Sequence, residues 1–568
     1  MNINEKWNLS YPEGSMIDFI RERAEGYMDY DAYDFLGKRR TYREFFREID
    51  TCAKALTALG IKKGERVTVC LPNMPQALIM FYGLNRMGAI PNMVHPLSAE
   101  GEIEFYLNES ESVAAITLDM FFEKFEKVRE NAPALKNIIV TSMGQALSPL
   151  KRIGYMVTQG RKIPSVMPGP GIVFYEEFME VGRKYKGEFI QNVKKDDVGC
   201  ILYSGGTTGT TKGILLTNLN FNALAVQTAE AGDCLETGHK MLAVMPVFHG
   251  FGLGVGIHTG LCYGLVEILV PKFSVKTYAQ LLKKYQPNYI AGVPTLFSAL
   301  LATRKMEKVD LSCLEGVFSG GDTLTPQLKK KVDKFLKERG AKIQIREGYG
   351  TTECVTASCL TPKDIYKEGS IGLPFKDTLY KIVKVGTVKE ADTLEEGEIC
   401  INGPTVMKSY LNNLKETEDA LKVHEDGLTW LHTGDLGTVD EEGYIYFKQR
   451  IKRMIISSGY SIYPSRLENI LDAHPLVRTS TVIGVPDPYK GQKVKAYIVL
   501  KEGIASDDDV KESIYEYSLK NIAAYAMPYE FEYRDSLPQT LVGKVAYRQL
   551  EEEEFLKSRE EGEACLTC

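Results

Sequence analysis

The chain has 568 residues, 44% hydrophobic and 25% charged, with 69 Lys and Arg against 75 Asp and Glu for a formal net charge of −6. This composition excludes collagen, a long coiled coil and bulk disorder, and the mildly acidic balance leaves no overall electrostatic footprint for nucleic acid. A single hydrophobic core stops growing near roughly 250–300 residues, so at least two domains are expected.

The opening MNINEKWNLS has neither a basic n-region nor an apolar stretch, so no secretory signal is expected. Short apolar, β-branched runs follow at Arg66–Leu71, Ala114–Leu118, Lys136–Thr141 and Val198–Tyr203. They read as strands of a mainly parallel sheet covered on both faces. Helical periodicity at Gln76–Arg86 and Gln327–Arg339 supplies the covering layers. The expected fold class is therefore α/β, with mainly parallel sheets flanked by helices.

Two stretches interrupt this alternation. Leu147–Gly171 carries Lys151, Arg152, Arg161 and Lys162 among Ile153, Tyr155, Met156 and Val157, then the Pro/Gly-rich PSVMPGPG. It reads as a solvated surface insertion or as an amphipathic basic element making peripheral membrane contact. Met241–Val270 is apolar for longer than the roughly 20 residues a membrane helix requires. It also contains Pro246 and six glycines and lacks flanking positive bias, so a buried α/β segment is expected and no transmembrane span. Beyond Arg450 an α+β pattern fills residues 451–568, which gives an expected division into 1–450 and a smaller domain of 451–568. Eleven cysteines, most of them singly placed from Cys52 to Cys400, point to reduced thiols and a cytoplasmic location. Cys565 and Cys568 close the chain behind the acidic run Glu551–Glu554, where a frayed tail is expected.

The chemistry concentrates in five short motifs. Tyr203–Gly213 reads YSGGTTGTTKG directly after a strand, and its glycines let backbone N–H groups approach an anion while the hydroxyls and Lys212 add donors and charge. It is not a Walker A loop, because Thr211 stands where that motif has glycine before lysine. Glu347–Glu353, EGYGTTE, combines an aromatic face, two hydroxyls and a carboxylate. Leu431–Gly437, LHTGDLG, sets Asp435 where a carboxylate accepts two hydroxyl hydrogen bonds. Arg450–Gly459 and Pro538–Val545 add Arg450, Lys452 and Lys544.

With Leu71–Met74, Gly320–Gly321 and Gly372–Pro374, these motifs make the chain resemble the acyl-adenylate-forming, AMP-binding superfamily from about Tyr42 to Leu550. Within it the chain is most similar to the fatty-acid and aryl-acid acyl-CoA synthetases. The resemblance implies a large N-terminal domain and a small mobile C-terminal one. It also implies ATP, Mg²⁺ and coenzyme A, and activation of a hydrophobic carboxylic acid, medium or long chain, to an acyl adenylate and then a thioester. An aryl-acid CoA ligase, or a free-standing enzyme loading a separate carrier protein, is the alternative. No phosphopantetheine site of Gly-x-Asp-Ser type is present, and oligomeric state is not legible.

Carried over residue by residue, the resemblance implies that Ser204, Gly205, Gly206, Thr207, Thr208, Gly209 and Lys212 hold the β- and γ-phosphates. Glu347, Gly348 and Tyr349 would line the adenine pocket with Gly321 and Asp322, Thr352 would meet the α-phosphate, and Glu353 would hold Mg²⁺. Asp435 and Arg450 would bind the ribose, and Lys544 would bridge carboxylate and α-phosphate. His249 would gate the acyl channel, lined by His249–Gly254, Val293–Phe297, Ser319–Gly321 and Gly348–Tyr349. Lys452 would be the hinge that swings Lys544 out and Gly459 in. Gln449, Thr211 and Ser465–Glu468 depart from the family pattern.

Overall fold

The computed structural model describes residues 8–204, 211–457, 460–487, 489–540 and 544–566. The apolar runs become strands. Arg66–Cys70, Ile90–Met93, Ala114–Leu118, Asn137–Thr141, Ile172–Phe174 and Val198–Ser204 pair in parallel, and Lys212–Thr217 and Ser409–Tyr410 add antiparallel strands to complete an eight-stranded sheet. A nine-stranded sheet has Asp31–Phe35, Lys240–Ala243, Val266–Leu269, Tyr289–Gly292, Gly316–Ser319 and Ile345–Tyr349 in parallel, with three antiparallel edge strands. A five-stranded antiparallel sheet spans Leu379–Arg450.

Helices Tyr42–Ala58, Pro75–Arg86 and Asn218–Gly232 share one core with the sheets, through Phe45, Ile49, Phe81 and Phe221. Local chemistry fixes their starts. Thr41 Oγ1 accepts from the Glu44 N–H at 3.2 Å while Glu44 Oε2 accepts from the Thr41 N–H at 3.0 Å, satisfying two otherwise orphaned donors. Proline stands in the first turn of Pro75–Arg86 and Pro326–Glu338, where its missing N–H costs nothing.

After Arg450 a short 3₁₀ turn, Ile451–Arg453, leads to a separate five-stranded sheet, Ile455–Ser457, Tyr460–Ile462, Val477–Asp487, Gly491–Leu500 and Glu530–Tyr533. It has its own core of Leu467, Leu471, Val482, Ile498 and Ile514. The architecture is thus α/β with parallel-rich sheets and a small α+β unit at the end of the chain.

Met241–Val270 is interior, as expected: strand, a nine-residue π-helix at Phe251–Thr259, then strand. Among the described residues no helix is long and apolar enough to cross a membrane. Leu147–Gly171 forms a surface helix, Pro149–Thr158, with no buried residue. Near the end of the chain the acidic run Glu551–Glu554 lies in a helix, Tyr547–Leu566. Glu554 Oε1 there accepts from Tyr497 Oη at 3.0 Å and pairs with Lys495 Nζ at 3.1 Å, so the run is anchored. Cys568 lies outside the described residues, and the nine cysteines from Cys52 to Cys400 are free thiols.

Candidate active site

The site lies where the nine-stranded sheet, the antiparallel sheet and the C-terminal unit meet. Asp435 and Arg450 are register partners on adjacent antiparallel strands, so the ladder itself sets a carboxylate beside a guanidinium. Arg450 Nε is 3.2 Å from Asp435 Oδ1, and Tyr349 Oη donates to Asp435 Oδ2 at 2.7 Å. Asp435 is 1% exposed, yet its Oδ1 accepts no hydrogen bond. A buried carboxylate oxygen left open is costly unless a ligand completes it. Burial raises the Asp435 carboxyl pKa, opposed by Arg450 and the Tyr349 hydroxyl. The Tyr349 ring faces Phe447 at 5.8 Å, an aromatic wall beside the open carboxylate.

A chain of buried polar groups holds the Asp435 loop. Glu398 Oε1 accepts from the Gly434 N–H at 2.9 Å, and its Oε2 lies 2.8 Å from His432 Nδ1. His432 Nε2 in turn lies 2.9 Å from His424 Nε2.

Thr352 and Glu353 sit in a 3₁₀ turn after the strand that carries Tyr349. Glu353 Oε1 accepts from Tyr410 Oη at 2.9 Å. The turn closes on Val355 at φ 65°, an uncommon conformation for a β-branched residue and a local reservoir of strain. Its carbonyl presses on the π-helix: a Cβ on Gly250 would lie 1.7 Å from Val355 O, so only glycine fits there.

Ser204 and Lys212 are register partners on antiparallel strands, so the Gly/Thr loop springs from adjacent strand ends. Gly205, Gly206, Thr207, Thr208 and Gly209 lie outside the described residues, as does Gly459. Lys212 forms an ion pair with Glu416, and its ammonium lies 4.8 Å over the Tyr410 ring.

Lys544 is brought to the same place from the C-terminal unit. Its Cε lies 3.8 Å from where a Gly321 Cβ would stand, and Gly321 itself has φ +81°. Removal from water lowers the Lys544 ammonium pKa and Arg450 adds to this, while Asp322 and Asp435 oppose it. His249, in the loop before the π-helix, is pushed down to about 4 by burial and by Lys544. Its ring is therefore neutral at neutral pH, with Nδ1 accepting from the Phe251 N–H at 3.2 Å. Glu347 is buried, Oε1 accepts from the Leu324 N–H at 2.9 Å, and burial raises its pKa to about 8. Lys452 is exposed in the turn between the units.

An apolar cavity opens from this point. It is lined at one end by Ser319, Gly320, Gly321 and Gly348 and runs past Phe251 and Val255 to Leu235, Met241 and Leu265. Of the expected lining, Phe251, Ser319–Gly321 and Gly348 are present, whereas His249, Gly250, Gly252–Gly254, Val293–Phe297 and Tyr349 are not; instead the end of helix Asn218–Gly232 and Thr356–Leu360 form walls. Sequence reasoning also passed over Tyr410, Glu416, Val355 and the Glu398–His432 pair. Of these only Val355, next to a recognised motif, and His432, inside LHTGDLG, left any signal in the sequence.

These groups fit a nucleotide and its metal: an open buried carboxylate oxygen, an aromatic wall, and a glycine at positive φ beside a lysine. Profiles of known families agree. One described as AMP-binding enzyme matches residues 20–411 and one described as AMP-binding enzyme C-terminal domain matches 466–544. The long-chain-fatty-acid–CoA ligase of Bacillus subtilis is 35% identical over 554 residues, 96% of each chain. Among solved structures, an anthranilate CoA ligase in complex with anthranoyl-AMP aligns at TM-score 0.82 and 23% identity over 97% of this chain and 99% of its own. A Mycobacterium tuberculosis fatty acyl CoA synthetase aligns at TM-score 0.67 and 24% identity over 95% and 98%. At these identities the solved structures show a shared fold.

Proposed function

The chain belongs to the AMP-binding enzyme family, and from that premise we propose that it is an AMP-forming acyl-CoA ligase acting on long-chain fatty acids. The observation that carries the reading is the convergence of Lys544, Asp435, Arg450 and Tyr349 at the mouth of an apolar cavity. The B. subtilis relative bears that activity in its name. ATP, the acid and coenzyme A are its substrates, and Mg²⁺, when bound, shields the triphosphate.

Each residue has a task in the adenylation half. A carboxylate and a polyphosphate repel each other, so the protein's contribution is positioning and charge stabilisation. Lys544 carries the cation that offsets both charges, and Thr352 faces the α-phosphate. Asp435 takes the ribose hydroxyls on its open oxygen with Arg450 beside it, and Tyr349 stacks on adenine with Glu347, Gly348, Gly321 and Asp322 around it. Glu353, oriented by Tyr410, would hold the metal. Ser204, Lys212 and the intervening loop cover the outer phosphates. Neutral His249 lies within reach of the Lys544 ammonium and adds no charge against the incoming acid.

The functional division falls between residues 450 and 451. Rotation about Lys452 withdraws Lys544 so that a thiol reaches the adenylate, with Gly459 leaving room for pantetheine. The free, mostly buried thiols suit a cytoplasmic protein. Assay of AMP and pyrophosphate release against acids of graded length and aromaticity, with and without coenzyme A, tests the assignment. CoA-dependent AMP release that peaks with long-chain acids is expected; none with any acid rejects it.

A further inference from the structure

Three metal-ligating side chains meet inside the five-stranded antiparallel sheet, behind the Asp435 loop. Cys400 on strand Gly397–Asn402 and His432 on strand Thr429–Val439 are register partners, so their side chains leave the same face of the sheet. His424 joins them from the hairpin that follows strand Leu421–Val423, where its N–H donates to the Leu428 carbonyl at 3.0 Å. Cys400, His424 and His432 are 0%, 4% and 7% exposed, and one donor atom from each lies within 4.8 Å of the other two. Hydrogen bonding alone leaves this cluster incomplete. Glu398 Oε2 accepts from His432 Nδ1 at 2.8 Å, so Nδ1 carries the hydrogen and Nε2 keeps a lone pair. That lone pair faces His424 Nε2 at 2.9 Å, and the far nitrogen, His424 Nδ1, is buried without a partner. The His424 ring is held in place by stacking on Trp430 at 5.6 Å, whose Nε1 donates to Asp426 Oδ2 at 3.1 Å. Two imidazoles set nitrogen to nitrogen beside a free thiol are not what an apolar core requires.

Donor chemistry names the occupant. A thiolate and two imidazole nitrogens suit zinc-type ions, whereas Mg²⁺ takes oxygen. The Glu398 carboxylate behind His432 is the partner that metal-bound imidazoles commonly carry, fixing the tautomer with Nε2 toward the ion. Burial lowers the His424 pKa, which keeps one of its nitrogens unprotonated. Burial raises the Cys400 thiol pKa, so the metal-free site keeps a proton on sulfur. A divalent ion takes that proton's place: the S–H bond breaks, the sulfur–metal bond forms, and the proton passes to solvent. The charges then balance, a dication against one thiolate and the Glu398 carboxylate. We propose that Cys400, His424 and His432 bind one Zn²⁺ ion at a site separate from the Mg²⁺ that accompanies ATP. The ion is one carboxylate away from the Asp435 loop, because Glu398 Oε1 accepts from the Gly434 N–H at 2.9 Å. The inference stands on these side chains alone and does not depend on which acid the enzyme activates.

The test takes the full-length protein, strips it with a chelator and returns Zn²⁺ in the presence of excess Mg²⁺, for wild type, Cys400→Ser and His424→Gln. Circular dichroism checks the fold of each. Wild type should retain one Zn²⁺ per chain after dialysis and should melt roughly a few degrees higher with Zn²⁺ than without. Each folded variant should lose about tenfold or more in Zn²⁺ affinity and most of that thermal shift. X-ray absorption at the zinc edge needs no variant, and in wild type it should count one sulfur and two imidazole nitrogens around the ion. The proposal is overturned if wild type retains no Zn²⁺, if the zinc edge shows no sulfur or more than one, or if a folded Cys400→Ser or His424→Gln binds Zn²⁺ as tightly as wild type.

Discussion

Tyr349 Oη donates a 2.7 Å hydrogen bond to Asp435 Oδ2, tying the last parallel strand of one sheet to the central strand of another. The bond orients a buried carboxylate so that its other oxygen, 3.2 Å from Arg450 Nε, is left without a hydrogen bond. Asp435→Ala should therefore lower kcat/KM for ATP by about a hundredfold or more, since it removes the acceptor and strands Arg450. Tyr349→Phe removes one charge-assisted bond and should cost about tenfold, mostly in the KM for ATP. Steady-state kinetics with varied ATP separates the two, and equal effects would mean that Asp435 acts only through Tyr349.

Glu347 gives a pH signature in the ligand-free protein. Its folded pKa, about 8, lies above the usual carboxylate value because of burial. Between the two values the native state holds a proton that the unfolded chain has released, so this group's stabilising contribution falls as pH rises from about 4.5 to about 8. Glu347→Gln keeps an acceptor for the Leu324 N–H and cannot ionise. Thermal melts from pH 5 to 8 should show the variant gaining on wild type by roughly a few degrees, with the gain levelling off above pH 8. A difference independent of pH would contradict the buried, protonated carboxyl.

The far end of the cavity sets a length limit. Met241 and Leu265 lie there, away from the Gly321 end that faces Lys544. Met241→Trp should fill that end, sparing short acids and lowering kcat/KM for long ones by about tenfold or more. Uniform loss across chain lengths would show that the cavity does not hold the acyl tail.

Much of this was legible in the sequence, for a physical reason. Alternating β-branched runs and helical periods are local patterns, and so are the glycine-, hydroxyl- and charge-rich motifs holding Tyr349, Asp435, Arg450 and Lys544. What was not legible depends on pairing across distance. Tyr410 reaches Glu353 from 57 positions away, and Glu416 reaches Lys212 from 204. No local period marks such partners. The same holds for the cavity walls, where the end of helix Asn218–Gly232 replaces Val293–Phe297. Composition marks Leu147–Gly171 as a surface insertion or an amphipathic basic element, but only the packing of Tyr155 against Gly144 shows that Leu150, Ile153 and Val157 face water.

Lys544 is the centre of the account, because it stands at the Gly321 edge of the cavity as a partly buried cation supplied by the C-terminal unit. The decisive measurement compares the two half-reactions in Lys544→Ala: adenylate formation by ATP–pyrophosphate exchange, and thioester formation from supplied acyl-AMP and coenzyme A. The account predicts adenylate formation reduced by about a hundredfold or more, with conversion of supplied acyl-AMP close to wild type. Equal loss in both halves would contradict it.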